Sequence, residues 1–218
     1  MKKNVTRLRK KLRKHPNSIM LMSYIIAIST ASFFPTLATT MPYIFILIIP
    51  ILILILNLWI RKTLKEIWHD FRSTNWLKII LMVFITAGVV AFLTFVAAEG
   101  KVESNNSKQI VMMLSKYWYM TPYVLIVAPI LEELTFRSSL YAVVVRVIGS
   151  VVQNETTIKI ATYICVGIGF AMVHADNMMA IYIIFSSFLQ WITAKWGLKY
   201  AIGTHIGMNA MSFLIMFI

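Results

Sequence analysis

Long apolar runs follow one another along this chain, each near the roughly 20 residues a helix needs to cross a bilayer. They cover Ile19–Phe34, Tyr43–Ile60, Leu77–Ala98, Thr121–Val147, Ile160–His174, Met178–Thr193 and Tyr200–Ile218. The first, fifth and sixth are short, which predicts tilted or broken helices there. Between the second and third runs, Arg61 to Asn75 sets Leu64, Ile67, Trp68 and Phe71 among charges at helical spacing. That is the pattern of an amphipathic helix on the membrane surface, with His69 an ordinary interfacial residue. Residues 110–120 predict either a separate interfacial helix or an extension of the fourth run. Tyr117, Trp118 and Tyr119 have the character of an aromatic belt at the membrane boundary. The chain has no internal repeat, and its Ile/Leu tract at 44–56 carries no chemistry.

Composition gives the same solvent. Hydrophobic residues make up 59% of the 218 and charged residues 13%, against about half and a quarter in soluble domains. So much apolar surface fits lipid, not one aqueous core. The expected fold is an all-α polytopic membrane helix bundle of about seven transmembrane helices. It forms one membrane domain over residues 19–218, preceded by a basic segment at 1–18.

The formal net charge is +13, from 21 Lys and Arg against 8 Asp and Glu. Lys2, Lys3, Arg7, Arg9, Lys10, Lys11, Arg13 and Lys14 precede the first apolar run, and most other basic residues sit between runs. In alternate connections, 16 basic residues fall on the N-terminal side and two, Lys101 and Lys108, on the other. The positive-inside rule then places the N-terminus in the cytoplasm and, with seven spans, the C-terminus outside. This distribution forms no soluble basic face, so nucleic acid is not a partner and membrane lipid is. Cys165, alone of its kind, allows no intrachain disulfide and no Cys-based structural zinc site. It reads as a small buried hydrophobe. The basic start and first run resemble a signal peptide, but no small-x-small cleavage site precedes a soluble domain. The run therefore reads as a retained span.

Ionisable residues deep inside apolar runs carry the functional signal, because a charge at the bilayer centre costs from about 3 to over 10 kcal/mol. Glu132, Glu133 and Arg137 stand within the fourth run. Glu133 and Arg137 are four apart, the favoured order for a helical ion pair. Glu132 then points about 100° away from Glu133, free to face a cavity as a general base. Helix glue would account for one Glu–Arg pair but not for the second acid. His174 closes the fifth run on the face of Phe170, followed by Asp176 and Asn177. In the last run His205 and Asn209 share one face, while Gly203 and Gly207 form a GxxxG on another, a device for close helix approach. One acid to activate water, a histidine to help hold it, and His/Asn donors for an oxyanion make a plausible hydrolytic centre.

These motifs, EExxxR at Glu132, Glu133 and Arg137, FxxxH at Phe170 and His174, and HxxxN at His205 and Asn209, resemble the CPBP family. That family groups CAAX-prenyl endopeptidases with bacteriocin-processing and self-immunity membrane proteins. The resemblance covers about residues 121–210, with Ser138 where the family usually has Gly after the motif Arg. It implies an intramembrane endopeptidase acting on a membrane-associated peptide or protein, such as a bacteriocin or pheromone precursor or a prenylated-type tail. By this resemblance Glu132 activates water with His174, Glu133 and Arg137 organise the site, and His205 and Asn209 stabilise the oxyanion. No tightly bound metal is expected. If Zn²⁺ is present, Glu132, His174 and His205 are its ligands, although HExxH is absent.

Glu132 and His174 each lie 21 residues from Gln153, so a turn there puts them at one depth. His205 lies nearer the inner side by simple counting. This predicts that the tips of the fourth and fifth helices protrude into the cytoplasm, and that an unwound Asp176–Asn177 segment begins the sixth span. The alternative function is a non-catalytic membrane immunity or scaffold protein of the same fold. A proton-relaying transporter would call for paired broken helices in two related halves, and none is visible.

Overall fold

A backbone in lipid has to satisfy its own hydrogen bonds, which leaves helices and closed barrels as the spanning structures. The computed structural model describes residues 16–33, 48–61, 64–98, 104–174 and 176–217, and every regular element among them is helical. In chain order they are α1 (Pro16–Phe33), α2 (Ile49–Arg61), α3 (Leu64–Arg72), α4 (Trp76–Ala98), α5 (Asn105–Lys116), α6 (residues 123–149), α7 (Glu155–His174), α8 (Met179–Trp196) and α9 (Leu198–Phe217). Residues 1–15 of the expected basic segment lie outside the described residues, as does the start of the second apolar run.

Among the described residues, two helices are long and apolar enough to cross a membrane by strict length and hydropathy, at Trp76–Leu93 and Glu155–His174. The distribution of side chains extends the argument. Glu133 and Arg137 are 0% and 2% exposed, whereas Phe84 and Phe92 are 62% and 65% exposed. Charge inside and aromatic surface outside invert the order of a soluble protein and suit a lipid surround. Cys165 follows the same logic. The expectation that it is buried is corrected, since it is exposed on the outer face of α7. A thiol turned towards lipid meets no penalty there.

The order of packing puts α7 against α8, α8 against α9, and α9 against α4, while α1 packs on the middle of α6. Close approach of α9 to α4 depends on Gly203 and Gly207: a Cβ at either would overlap Ile79 or Val83. The expected GxxxG contact is thus made with the third apolar run. A tight turn at Gly197 joins α8 to α9, with φ of 100°, a value that disfavours any side chain.

α6 departs from a uniform α-helix. It has π-helical stretches at Tyr123–Val127 and Leu134–Leu140, on either side of the α-helical Ala128–Glu133. Such widened turns free carbonyls from the regular ladder and recur at functional sites. Here the Leu134 carbonyl accepts from Ser139 Oγ at 3.1 Å. The Val124 carbonyl accepts from Asn209 on α9 at 3.1 Å. Of the two options for residues 110–120, the separate helix is found. α5 begins at Ser104, whose hydroxyl caps it by accepting from Ser107 N–H, and stops at non-helical Tyr117. The amphipathic segment is α3, whose exposed Trp68 and Phe71 form a ring cluster with Trp76 at the start of α4, at 5.9 and 5.3 Å between centroids. Lys199 Nζ fixes its end by donating to Ser73 Oγ at 2.8 Å and the Ser73 carbonyl at 3.3 Å.

Candidate active site

The four-residue spacing that predicted an ion pair is realised. Arg137 Nε lies 3.1 Å from Glu133 Oε2, with both side chains fully buried. Neither group is left alone there. Arg137 Nη1 donates to Ser186 Oγ on α8 at 2.7 Å, and its guanidinium sits 4.9 Å from the centre of the Phe170 ring on α7. The other oxygen of Glu133 meets His205 Nδ1 on α9 at 3.0 Å. One buried carboxylate therefore joins α6 to α9, and its arginine joins α6 to α7 and α8. Ser186 and His205 give this desolvated pair further partners, while Arg137 Nη2 has no hydrogen-bond partner among the described residues.

Glu132 points elsewhere, as adjacent helical residues must. Its Oε2 lies 3.6 Å from His205 Nε2 and 4.0 Å from His174 Nε2, with the carboxyl side chain 17% exposed. The hydrogen bonds on the far side of each ring fix the tautomers. His174 Nδ1 lies 2.8 Å from the Phe170 carbonyl, which can only accept, so Nδ1 carries the proton. His205 Nδ1 faces the Glu133 carboxylate and donates likewise. In the neutral rings both Nε2 atoms are then lone pairs turned towards Glu132. Three acceptors facing one another at 3.6 and 4.0 Å form a place for a group with protons to share, and water is the smallest.

All six residues singled out in the sequence come together around one cavity or directly behind it. The cavity holds about 550 Å³ and is lined by Glu132, His174, His205 and Asn209, with apolar walls that include Ile110, Met113, Phe185 and Met208. Asn209 faces it with one amide proton committed to the Val124 carbonyl. The chain leaves α7 after His174 and re-forms a helix at Met179. The non-helical turn at Asp176 and Asn177 matches the expected unwinding.

Sequence reasoning named Phe170 and Asp176 without seeing what they hold, and missed Tyr182 and Ser186. Tyr182 lies tilted against His174 with 4.5 Å between ring centres, and Phe170 lies against the same imidazole at 4.4 Å, the two rings 6.3 Å from each other. Asp176 accepts from Ser104 Oγ, from Asn106 N–H at 3.1 Å, from Met178 N–H at 3.0 Å and from the Tyr182 hydroxyl at 3.2 Å. Ser186, the partner of Arg137, is fully buried with Gln190 one turn away. Two polar residues four apart in an apolar run were a legible signal. Tyr182 offered none.

Whether the donors suit a metal is a matter of their geometry. The orientation of the rings is favourable, since metal-bound histidines usually donate their other N–H to a carboxylate or carbonyl. The separations are not. Tetrahedral zinc with bonds of about 2.0 Å brings its ligand atoms to about 3.3 Å of one another, closer than the 3.6 and 4.0 Å found. Among the described residues no three His, Cys, Asp or Glu side chains form a group that could hold a metal ion. The residues as arranged do not fit zinc.

Comparison with known proteins adds one match. Residues 114–211 match the family described as type II CAAX prenyl endopeptidase Rce1-like. That stretch contains all six residues. No curated protein and no solved structure matches the chain.

Proposed function

With residues 114–211 matching the type II CAAX prenyl endopeptidase Rce1-like family, we propose that Glu132, His174 and His205 hydrolyse a peptide bond inside the membrane. The family match supports a membrane-embedded peptidase, as do the apolar helices. The observation that carries the finer reading is the approach of two imidazole Nε2 atoms to Glu132 Oε2 from α7 and α9, at the wall of a cavity.

In this mechanism a water lies between Glu132 and His174. Glu132 takes one of its protons as the water oxygen bonds to the scissile carbonyl carbon, and the carbonyl π pair moves onto oxygen. The oxyanion lies towards His205 and Asn209. Donation from His205 Nε2 requires the ring to carry both protons, a state that the Glu133 carboxylate on Nδ1 accommodates. Asn209 contributes the amide proton not given to Val124. On collapse the C–N bond breaks, and the proton held by Glu132 passes to the leaving amine. Glu133 and Arg137 touch no substrate in this scheme and hold His205 in place.

The substrate is a membrane-associated peptide or protein, a prenylated-type tail or a bacteriocin- or pheromone-like precursor, whose apolar part fits the walls of the cavity. The architecture is a single membrane domain over residues 19–218 with about seven spans and a cytoplasmic N-terminus. The tips of α6 and α7 protrude, which lowers Glu132 and His174 to the level of His205.

The test is purified protein in detergent offered a farnesylated CAAX-type peptide and apolar precursor peptides, with products read by mass spectrometry. Cleavage by wild type and its loss in Glu132→Gln and His174→Ala variants that still fold are expected. Equal cleavage by the folded variants would exclude the mechanism and leave an immunity or scaffold role.

A further inference from the structure

Resting on the peptidase reading above, we propose that Tyr182 is a positioning residue. It sets the His174 ring for catalysis and ties that setting to the docking of α5 over the cavity.

His174 is the less constrained of the two histidines. His205 has its Nδ1 on a buried carboxylate that Arg137 holds in turn. Among the described residues the His174 ring hydrogen-bonds only a carbonyl of its own helix, at the point where α7 ends. Rotation about its side-chain bonds is therefore limited chiefly by the two rings packed against it, Phe170 and Tyr182. Phe170 is fully buried in the core, which makes it a fixed wall. The second wall is Tyr182, tilted 31° to the imidazole and 6.3 Å from Phe170.

Tyr182 is held by its hydroxyl, which donates to Asp176 Oδ2 and accepts from Asn106 Nδ2, both at 3.2 Å. The same Asp176 oxygen accepts from Ser104, the cap of α5, and from Asn106 N–H in its first turn. Asn177 adds a contact from Oδ1 to Asn105 N–H at 3.2 Å. The start of α5 is thus fastened to the turn after His174 and to the ring beside it. Ser104, Asn106, Ser107, Ile110 and Met113 form one wall of the cavity. When α5 lies against the cavity, the Tyr182 hydroxyl is clamped and its ring confines His174. When α5 moves away, that confinement relaxes. A site built in this way is complete only with its wall in place, as in enzymes whose closure assembles the reacting groups.

Two variants separate the parts of the idea. Tyr182→Phe keeps the ring and loses the clamp, while Tyr182→Leu loses both. With the farnesylated CAAX-type peptide as probe, Tyr182→Leu is expected to lower kcat about 100-fold, the scale of a misplaced catalytic group, with KM nearly unchanged. Tyr182→Phe is expected to retain most of the rate, and Asp176→Asn to resemble it.

A second readout does not depend on activity. The chain has 4 histidines, so ¹⁵N-histidine spectra in detergent are simple, and His174→Gln assigns the signal. Wild type is expected to show His174 with its proton on Nδ1, and Tyr182→Leu to show a mixture of tautomers or a broadened signal. An unchanged His174 signal in folded Tyr182→Leu, or a change in KM alone, would overturn the proposal. If wild type and Glu132→Gln cleave equally while the His174 signal still responds to Tyr182→Leu, the peptidase reading fails and the positioning contact stands.

Discussion

Glu133 and His205, 72 residues apart in sequence, meet at 3.0 Å through Oε1 and Nδ1 in a fully buried contact. The same carboxylate binds Arg137 through its other oxygen. Buried charges linked in this way are far more costly to break than to remove together. Glu133→Gln and Arg137→Met are each expected to destabilise the folded protein by about 3–5 kcal/mol. The double variant is expected to lose clearly less than the sum, because neither charge is then stranded. Thermal unfolding in detergent reads both quantities, and strictly additive losses would contradict the arrangement.

Glu132 should behave in the opposite way. Its nearest cationic candidates are at 3.6 and 4.0 Å and its side chain borders the cavity, so little stability depends on its charge. Glu132→Gln is expected to unfold at or above the wild-type temperature. It should lose activity by a factor of about 10²–10⁴, the usual contribution of a general base. Parallel melting curves and peptide cleavage assays check the split.

The packing of α9 on α4 gives a prediction independent of the chemistry. Gly207→Ala puts a Cβ into Val83, and overpacking of this sort costs about 1–3 kcal/mol. Val83→Ala in the same chain removes the obstructing methyls and should restore much of the loss. Unfolding measurements on the two single variants and the pair decide it.

The separations around Glu132 exceed those of a tetrahedral zinc site. Activity is accordingly expected to survive dialysis against EDTA or 1,10-phenanthroline without change. Loss of activity that added zinc restores would show that the side chains close around a metal in the working enzyme.

Much of this arrangement was legible because helical spacing is reliable over four residues. Glu133 with Arg137, and His205 with Asn209, lie on shared faces of α6 and α9 as their spacing required, and Glu132 diverges from Glu133 towards the cavity. Depth was harder to count. A uniform rise per residue set His205 below Glu132, whereas α6 contains π turns that shorten it. Nothing in the order of residues announces a π turn, and with it went the bond from Asn209 to the Val124 carbonyl. Tyr182 was hidden for another reason. An aromatic residue in an apolar run has many possible neighbours, and its role beside His174 depends on packing between α7 and α8. Cys165 shows the same limit from outside, since an apolar run does not distinguish a face turned to protein from one turned to lipid.

The most direct measurement is the cycle of kcat values for wild type, Glu132→Gln, His174→Ala and the double variant on one peptide substrate. If both groups act on a single water, the double variant will be about as slow as the slower single variant, since residues that work as a unit are strongly non-additive. Losses that multiply would mean that the two side chains act separately, and would contradict the shared water at the centre of this account.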